Sequence, residues 1–289
     1  MTNWRSVNGL VVDAVRGRSA AVAGRVSVLA SMMRRMDRFA AGEAAWVERL
    51  GNLRNEVRQE LIGRQLDDHV RDGAHVLDVG CGQGTQAIRL ARRGCRVVGV
   101  DPSDDLLERF ESGARAAGLD VEASRGRLGD LDALLGDRRF DVVCAHGLLM
   151  YLDDTGTALE QLAARLESDG ILSVTFRNGA ALAFRPGMRR QWQATVDAFD
   201  AVSYVNELGV RARAERLDDV AGQLHRQGLT VDAWYGVRVF TDPASADERA
   251  VDSEDFEDLI RAEQMAGSRD PYRQLASQIH LIARKQADR

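Results

Sequence analysis

The stretch HVLDVGCGQGTQAIRLARRG, residues 75–94, constrains the fold more than any other part of the chain. An apolar run leads into three glycines at alternate positions, Gly80, Gly82 and Gly84, and a helically patterned segment follows that closes at Gly94. That order predicts a strand, a tight turn and a helix. The rhythm then repeats. CRVVGVD predicts a second strand, SDDLLERFESGARAAG a helix from an Ser103 N-cap to a Gly118 stop, and VEASRG a short third strand. FDVVCAH reads as a fourth strand, GTALEQLAARLESDG as a helix and ILSVTFRN as a fifth strand. Strands alternating with helices in this way predict a Rossmann-like α/β domain, with a parallel sheet covered on both faces.

The flanks read differently. Residues 1–70 carry apolar residues at helical spacing without a proline and predict an N-terminal helical lid. Residues 71–289 then form the α/β domain. Within it, 179–213 is too long for a plain connection and predicts a helical cap. ERLDDVAGQLHRQG restores a helix, TVDAWYGVRVFTD predicts a strand, and SQIHLIARK predicts the last one. Between those strands, residues 242–270 hold 10 acids against 3 arginines.

Composition excludes several classes. The net charge of −5 offers no global basic excess for nucleic acid or an anionic membrane. No apolar run approaches the ~20 residues that span a bilayer, and the N-terminus lacks a secretory apolar region, so a cytoplasmic protein is expected. Cys81, Cys95 and Cys144 are too few and too scattered for a disulfide framework or a zinc site. No metal is expected.

The ligand of the glycine turn follows from what the turn lacks. Thr85 stands where a dinucleotide fingerprint needs its third glycine, and a phosphate-cradling loop needs a lysine that this segment does not contain. Asp78, two residues before the first glycine, repels a pyrophosphate but suits a ligand carrying an ammonium and a sulfonium. S-adenosyl-L-methionine has both and no phosphate. Asp101 ends the second strand, where an acid accepts hydrogen bonds from ribose hydroxyls. Asp130, with the backbone of Leu128 and Gly129, follows the third strand and is expected to read an adenine edge.

VLDVGCGQG, GVDPS and FDVVCAHGLLMYL, in that order, resemble the class I S-adenosylmethionine-dependent methyltransferases. The resemblance implies a seven-stranded sheet with an antiparallel last strand, here HLIARK, beside DAWYGVRVFTD as the sixth. VRQELIGRQL, YGVRVFTD and DPYRQLASQIHLIARK resemble, more narrowly, the tRNA 5-carboxymethoxyuridine methyltransferases, which esterify a carboxylate on a wobble uridine. That likeness implies cofactor contacts at Arg58, the glycine turn, Asp101, Leu128–Gly129 and His146.

Methyl transfer requires the acceptor atom, methyl and sulfur to be held in line in a dry site. A carboxylate acceptor needs an arginine to orient it and no base, whereas a hydroxyl needs a base, usually histidine. His146, just past the fourth strand, is the candidate base or cofactor contact. Arg238 is the candidate clamp for an anion if it faces the pocket and a solvated edge charge if it faces out, and Tyr235 and His280 are candidates on the same condition. Tyr151 is a further candidate for closing the pocket. Arg185, Arg189, Arg190 and Trp192 form an arginine-aromatic cluster on the insertion that reads either as a grip on a phosphate backbone or as the polar face of a lid. The expected function is an O-methyltransferase acting on a hydroxyl or carboxylate of a polar small molecule, such as a saccharide. A tRNA wobble-uridine carboxyl methyltransferase is the alternative, and a non-catalytic cofactor-binding interaction module the third reading.

Overall fold

The structure is a computed structural model that describes residues 51–206, 208–245, 248–249 and 253–286. Most of the expected N-terminal lid, residues 1–50, lies outside the described residues. Its described end is helix α1 (Leu53–Asp67), which starts at an Asn52 cap whose side chain accepts from Asn55 N at 2.9 Å. Leu53, Val57 and Leu61 of α1 pack with Val237 and Ile260 in a small core of their own.

The strands are β1 (His75–Val79), β2 (Arg96–Asp101), β3 (Glu122–Arg125), β4 (Phe140–His146), β5 (Leu166–Arg177), β8 (Leu229–Val237) and β9 (Gln278–Lys285). They form one sheet in the order β3-β2-β1-β4-β5-β9-β8. The first five are parallel, and β9 runs antiparallel between β5 and β8. This is the class I methyltransferase sheet that the sequence pattern implies. Helices α2 (Thr85–Arg92), α3 (Asp104–Ala116), α4 (Leu131–Leu135), α5 (Thr155–Ala163) and α8 (Leu217–Arg226) connect the strands. Two apolar cores result: one gathers Val76, Val142, Cys144 and Phe110, the other Leu77, Val143, Leu172, Val174 and Phe176. Alternate residues of β4 and β5 thus enter opposite cores, as strand pleating requires.

Three expectations need correcting. The helix expected to run to Gly170 stops at Ala163, because Leu166 pairs with Phe140 and begins β5; an irregularity follows, with Asp169 at φ 65° beside Gly170. The insertion is helical only in its first half, α6 (Phe184–Met188) and α7 (Trp192–Ala198). Its second half is a hairpin of β6 (Ser203–Val205) and β7 (Arg211–Arg213), favoured by the alternation in SYV and RAR around a turn at Gly209. Strand β8 ends at Val237 rather than running through the threonine-aspartate pair, since Arg238 takes φ 61° and turns the chain. The turn is fixed from α9 (Ser253–Gly267): the buried Glu263 carboxylate accepts from the backbone N–H groups of Val239, Phe240 and Thr241 at 2.7–3.0 Å.

Candidate active site

The site lies at the carboxyl ends of the parallel strands. The glycine turn leaves β1 with Gly80, Gly82 and Gly84 all at positive φ, between 55° and 76°. Gly84 is required twice over: its backbone is left-handed, and a Cβ there would run into the Phe110 ring. Asp101 at the end of β2 holds the turn, accepting from Gly82 N at 2.8 Å and from Ser103 N at 3.0 Å. Asp78 is buried in the same place and has no hydrogen-bond partner among the described residues. Burial, then the neighbouring Asp101 charge, pushes the Asp78 carboxyl up to about 7. A buried carboxylate pair of this kind calls for a cationic or hydroxyl-bearing ligand.

After β3, the chain forms a single 3-10 turn, Leu128–Asp130. Leu128 is buried, Gly129 exposed, and Asp130 points its carboxylate back to accept from Arg127 N at 2.9 Å. Asp130 therefore caps its own turn, and the backbone of Leu128 and Gly129 is what this corner offers.

Across the site stands His146, the last residue of β4. Its Nε2 meets Ser173 Oγ at 2.9 Å, and Ser173 Oγ meets His280 Nε2 at 2.7 Å. His280 Nδ1 in turn meets Gln65 Oε1 of α1 at 2.7 Å. His146 Nδ1 is buried without a partner. Burial, then the nearby Arg58 charge, drops His146 to about 3, and burial also holds His280 well below its ordinary value. Burial thus favours the neutral form of both rings. Tyr235 is not brought to Arg238. Its hydroxyl meets His69 Nε2 at 2.8 Å and its ring lies 6.2 Å from His280, its register partner on β9.

The remaining wall is cationic. Arg238 donates to Ser277 Oγ at 2.9 Å and lies 3.4 Å from the Asp242 carboxylate. Arg177, at the end of β5, shares both Ser277 and Asp242. Arg58 joins them from α1, donating to Asn55 Oδ1 at 3.1 Å; burial, then the Arg238 charge, lowers it to about 10. Arg54 and Arg185 are close enough to act on Arg238 as well. Among the described residues, Asp242 is the one acid paired with Arg177 and Arg238, and Arg58 pairs with none. Burial alone would raise Asp242, but Arg238 and Arg177 together hold it below the usual carboxylate range.

The insertion covers this wall. The Tyr204 ring of β6 stacks 5.2 Å from the Arg177 guanidinium, and Asn206 donates to the Tyr151 hydroxyl at 3.1 Å. The arginine-aromatic cluster expected on the insertion is split. Arg185 lies close enough to Arg238 for its charge to act there, Arg189 donates to the carbonyls of Pro243 and Ala244, and Arg190 and Trp192 remain exposed. A continuous phosphate grip is absent there. Among the described residues, no group of acids, histidines and cysteines is arranged to hold a metal, and no helix is long and apolar enough to cross a membrane.

Of the residues picked out in the sequence, Arg58, His146, Arg238 and His280 fall in this region, whereas Gln65, Ser173, Arg177, Asp242 and Ser277, which stand beside them, were not picked out. One signal was present. A central strand buried on both faces should be a near-continuous apolar run, yet SVTFR alternates polar with apolar residues. Its polar set, Ser173, Thr175 and Arg177, lines one buried face.

Comparison with known proteins agrees with this geometry. A family model described as a methyltransferase domain matches residues 76–170. The chain is 26% identical over 206 residues to a ubiquinone biosynthesis O-methyltransferase of Nitrobacter winogradskyi, covering 68% of this chain and 74% of that one. It is 26% identical over 250 residues to a tRNA 5-carboxymethoxyuridine methyltransferase of Escherichia coli, covering 81% and 90%. Among solved structures, a magnesium protoporphyrin IX methyltransferase from Synechocystis with bound SAH superposes with a TM-score of 0.57 at 16% identity, over 89% of this chain and 100% of that one. That likeness is one of fold.

Proposed function

From the premise that this chain is an S-adenosylmethionine-dependent methyltransferase, we propose that it esterifies a carboxylate of a small anionic acceptor. The observation that carries this reading is the set of buried Arg177 and half-buried Arg58 and Arg238, balanced by Asp242 alone among the described residues. Buried cations without counter-charge are costly, and an incoming carboxylate supplies that charge through charge-assisted hydrogen bonds.

The residues present fit the cofactor. The three positive-φ glycines let the backbone approach a ligand closely, and the unpartnered Asp78 suits an ammonium group. In this reading Asp78 and the Gly80–Gly84 turn hold the amino-acid portion, Asp101 the ribose, and Leu128–Gly129 the adenine edge, with Arg58 and His146 bordering the methyl-bearing end. When bound, S-adenosylmethionine supplies a methyl group already activated by its sulfonium. The arginines orient one carboxylate oxygen for in-line attack, and the cap of Tyr204 and Asn206 excludes water from the meeting of opposite charges.

A hydroxyl acceptor with His146 as base is the second reading, favoured by the unpartnered Nδ1. Base catalysis works best with a pKa near the operating pH, and His146 lies about four units below that. The carboxylate reading needs no base and is preferred. A saccharide hydroxyl accepts hydrogen bonds but brings the arginines no counter-charge, and the split cluster on the insertion gives a tRNA backbone little to hold. Labelled cofactor incubated separately with carboxylic acids, phenols and bulk tRNA tests the proposal. Label that enters a small molecule and is released by mild base as a methyl ester supports it; base-stable label or transfer to tRNA alone overturns it.

A further inference from the structure

We infer that Gln65, His280 and Ser173 are positioning residues that fix the tautomer of His146, so that its Nδ1 is presented as a hydrogen-bond acceptor for an N–H or O–H of the molecules bound in the site. The inference follows from donor and acceptor accounting along a buried chain. Gln65 Oε1 has no hydrogen, so His280 Nδ1 must be the donor in their 2.7 Å contact. Neutral His280 then carries no hydrogen on Nε2, which accepts from the Ser173 hydroxyl at 2.7 Å. Having given its one proton to His280, Ser173 Oγ can only accept from His146, so His146 Nε2 bears the hydrogen in the 2.9 Å contact. One ring atom is left over. It is Nδ1, a lone pair that is buried and has no partner.

Each link in the chain is held from a different element. Gln65 lies on α1, His280 on β9, Ser173 on β5 and His146 on β4. His280, Ser173 and Gln65 are buried, and the rings of His146 and His280 stand edge to face at 5.4 Å, which restricts ring flips. Gly147, the next residue, is tied separately to Thr175 Oγ1 at 2.8 Å, so the backbone carrying His146 is fixed as well. A relay of this kind serves positioning rather than proton removal. The opposite direction of hydrogen bonds would turn Nδ1 into a donor that pairs with ligand acceptors instead of a ligand N–H or O–H, so the direction is itself a specificity element.

The test is the tautomer. The chain has five histidines, few enough to assign long-range proton–nitrogen spectra one by one with the full-length protein. The wild type should show His146 protonated on Nε2 and His280 on Nδ1. Gln65→Met, similar in size but without the acceptor, should convert both rings to mixed tautomers and weaken S-adenosylhomocysteine binding by calorimetry about tenfold. Ser173→Ala should weaken it similarly, and Ser173→Thr, which restores the hydroxyl, should recover it. A merely structural role would lower stability without moving the tautomers. His146 protonated on Nδ1 in the wild type, or unchanged tautomers in folded Gln65→Met, overturns the inference.

Discussion

Arg238 Nη2 lies 3.4 Å from the Asp242 carboxylate, across a turn in which Arg238 itself takes φ 61°. A non-glycine residue held in the left-handed region stores strain that the surrounding structure must offset, and Glu263 does so by satisfying the three N–H groups that follow. Arg238→Ala should therefore leave cofactor affinity close to wild type while raising the KM for a carboxylate acceptor roughly 10- to 100-fold, the loss of a charge-assisted contact worth about 1.5–3 kcal/mol. Arg238→Lys should recover little, because a point charge cannot form two parallel hydrogen bonds. Steady-state kinetics beside calorimetry separates the two constants.

Removing the shared acid has a different signature. Asp242→Asn leaves Arg177 and Arg238 buried without their counter-ion and should destabilise the fold by about 3–5 kcal/mol. The wild-type pairing also sets a pH dependence. The folded pKa of Asp242 is depressed, so its stabilisation is present above the unfolded carboxylate value and is lost as pH falls through the folded one. Urea titrations at neutral and acid pH should show the gap between wild type and Asp242→Asn closing in acid.

Asp78 behaves oppositely. Its folded pKa, about 7, is raised above the unfolded value, so stability falls as pH climbs from about 4 to 7 and then levels off. Asp78→Asn should be more stable than wild type at pH 8, by up to about 4 kcal/mol from a shift of roughly three units. It should also bind S-adenosylmethionine far more weakly, and wild-type affinity for the cofactor should rise with pH through 7. A variant that melts earlier than wild type at pH 8 would contradict the assignment.

Gly84→Ala should abolish cofactor binding, since the new methyl meets the Phe110 ring and the backbone is left-handed. Shrinking the ring with Phe110→Leu should restore part of the fold but not all of it, because the left-handed conformation still costs about 1 kcal/mol for alanine. Thermal melts of the single and double variants check this.

The insertion supplies a contrast between neighbours. Arg190→Ala, at an exposed position, should change acceptor kinetics less than twofold and leave any weak tRNA binding with the same salt dependence. A marked drop in the slope of tRNA affinity against salt would restore the nucleic-acid reading.

The sheet and the glycine turn were legible in sequence because both are local. Alternating patterns, Gly80, Gly82, Gly84, and acids at strand ends act within a few residues of themselves. The second wall was not legible in the same way. Gln65 meets His280 across 215 residues, and Ser173 meets His280 across 107. No local period encodes such a pairing. Arg238 is legible as a candidate clamp but its partner is not, because Asp242 reads as one acid among many in a strongly acidic stretch. Tyr235 shows the same limit, since its partner His69 lies 166 residues away in the chain.

Helix α1 carries Arg54, Arg58 and Gln65 while it is anchored twice, by Leu53, Val57 and Leu61 against Val237 and Ile260 and by Ile62 and Leu66 in the core that holds Val76, Val142 and Cys144. The proposed acceptor clamp and the histidine chain therefore both depend on how this one helix is seated. Leu61→Ala, which touches neither a charge nor an imidazole, should cost about 2–5 kcal/mol and loosen both at once. Anion grip and ring orientation are two readouts of one docked helix, and whatever seats or unseats it governs the enzyme as a unit.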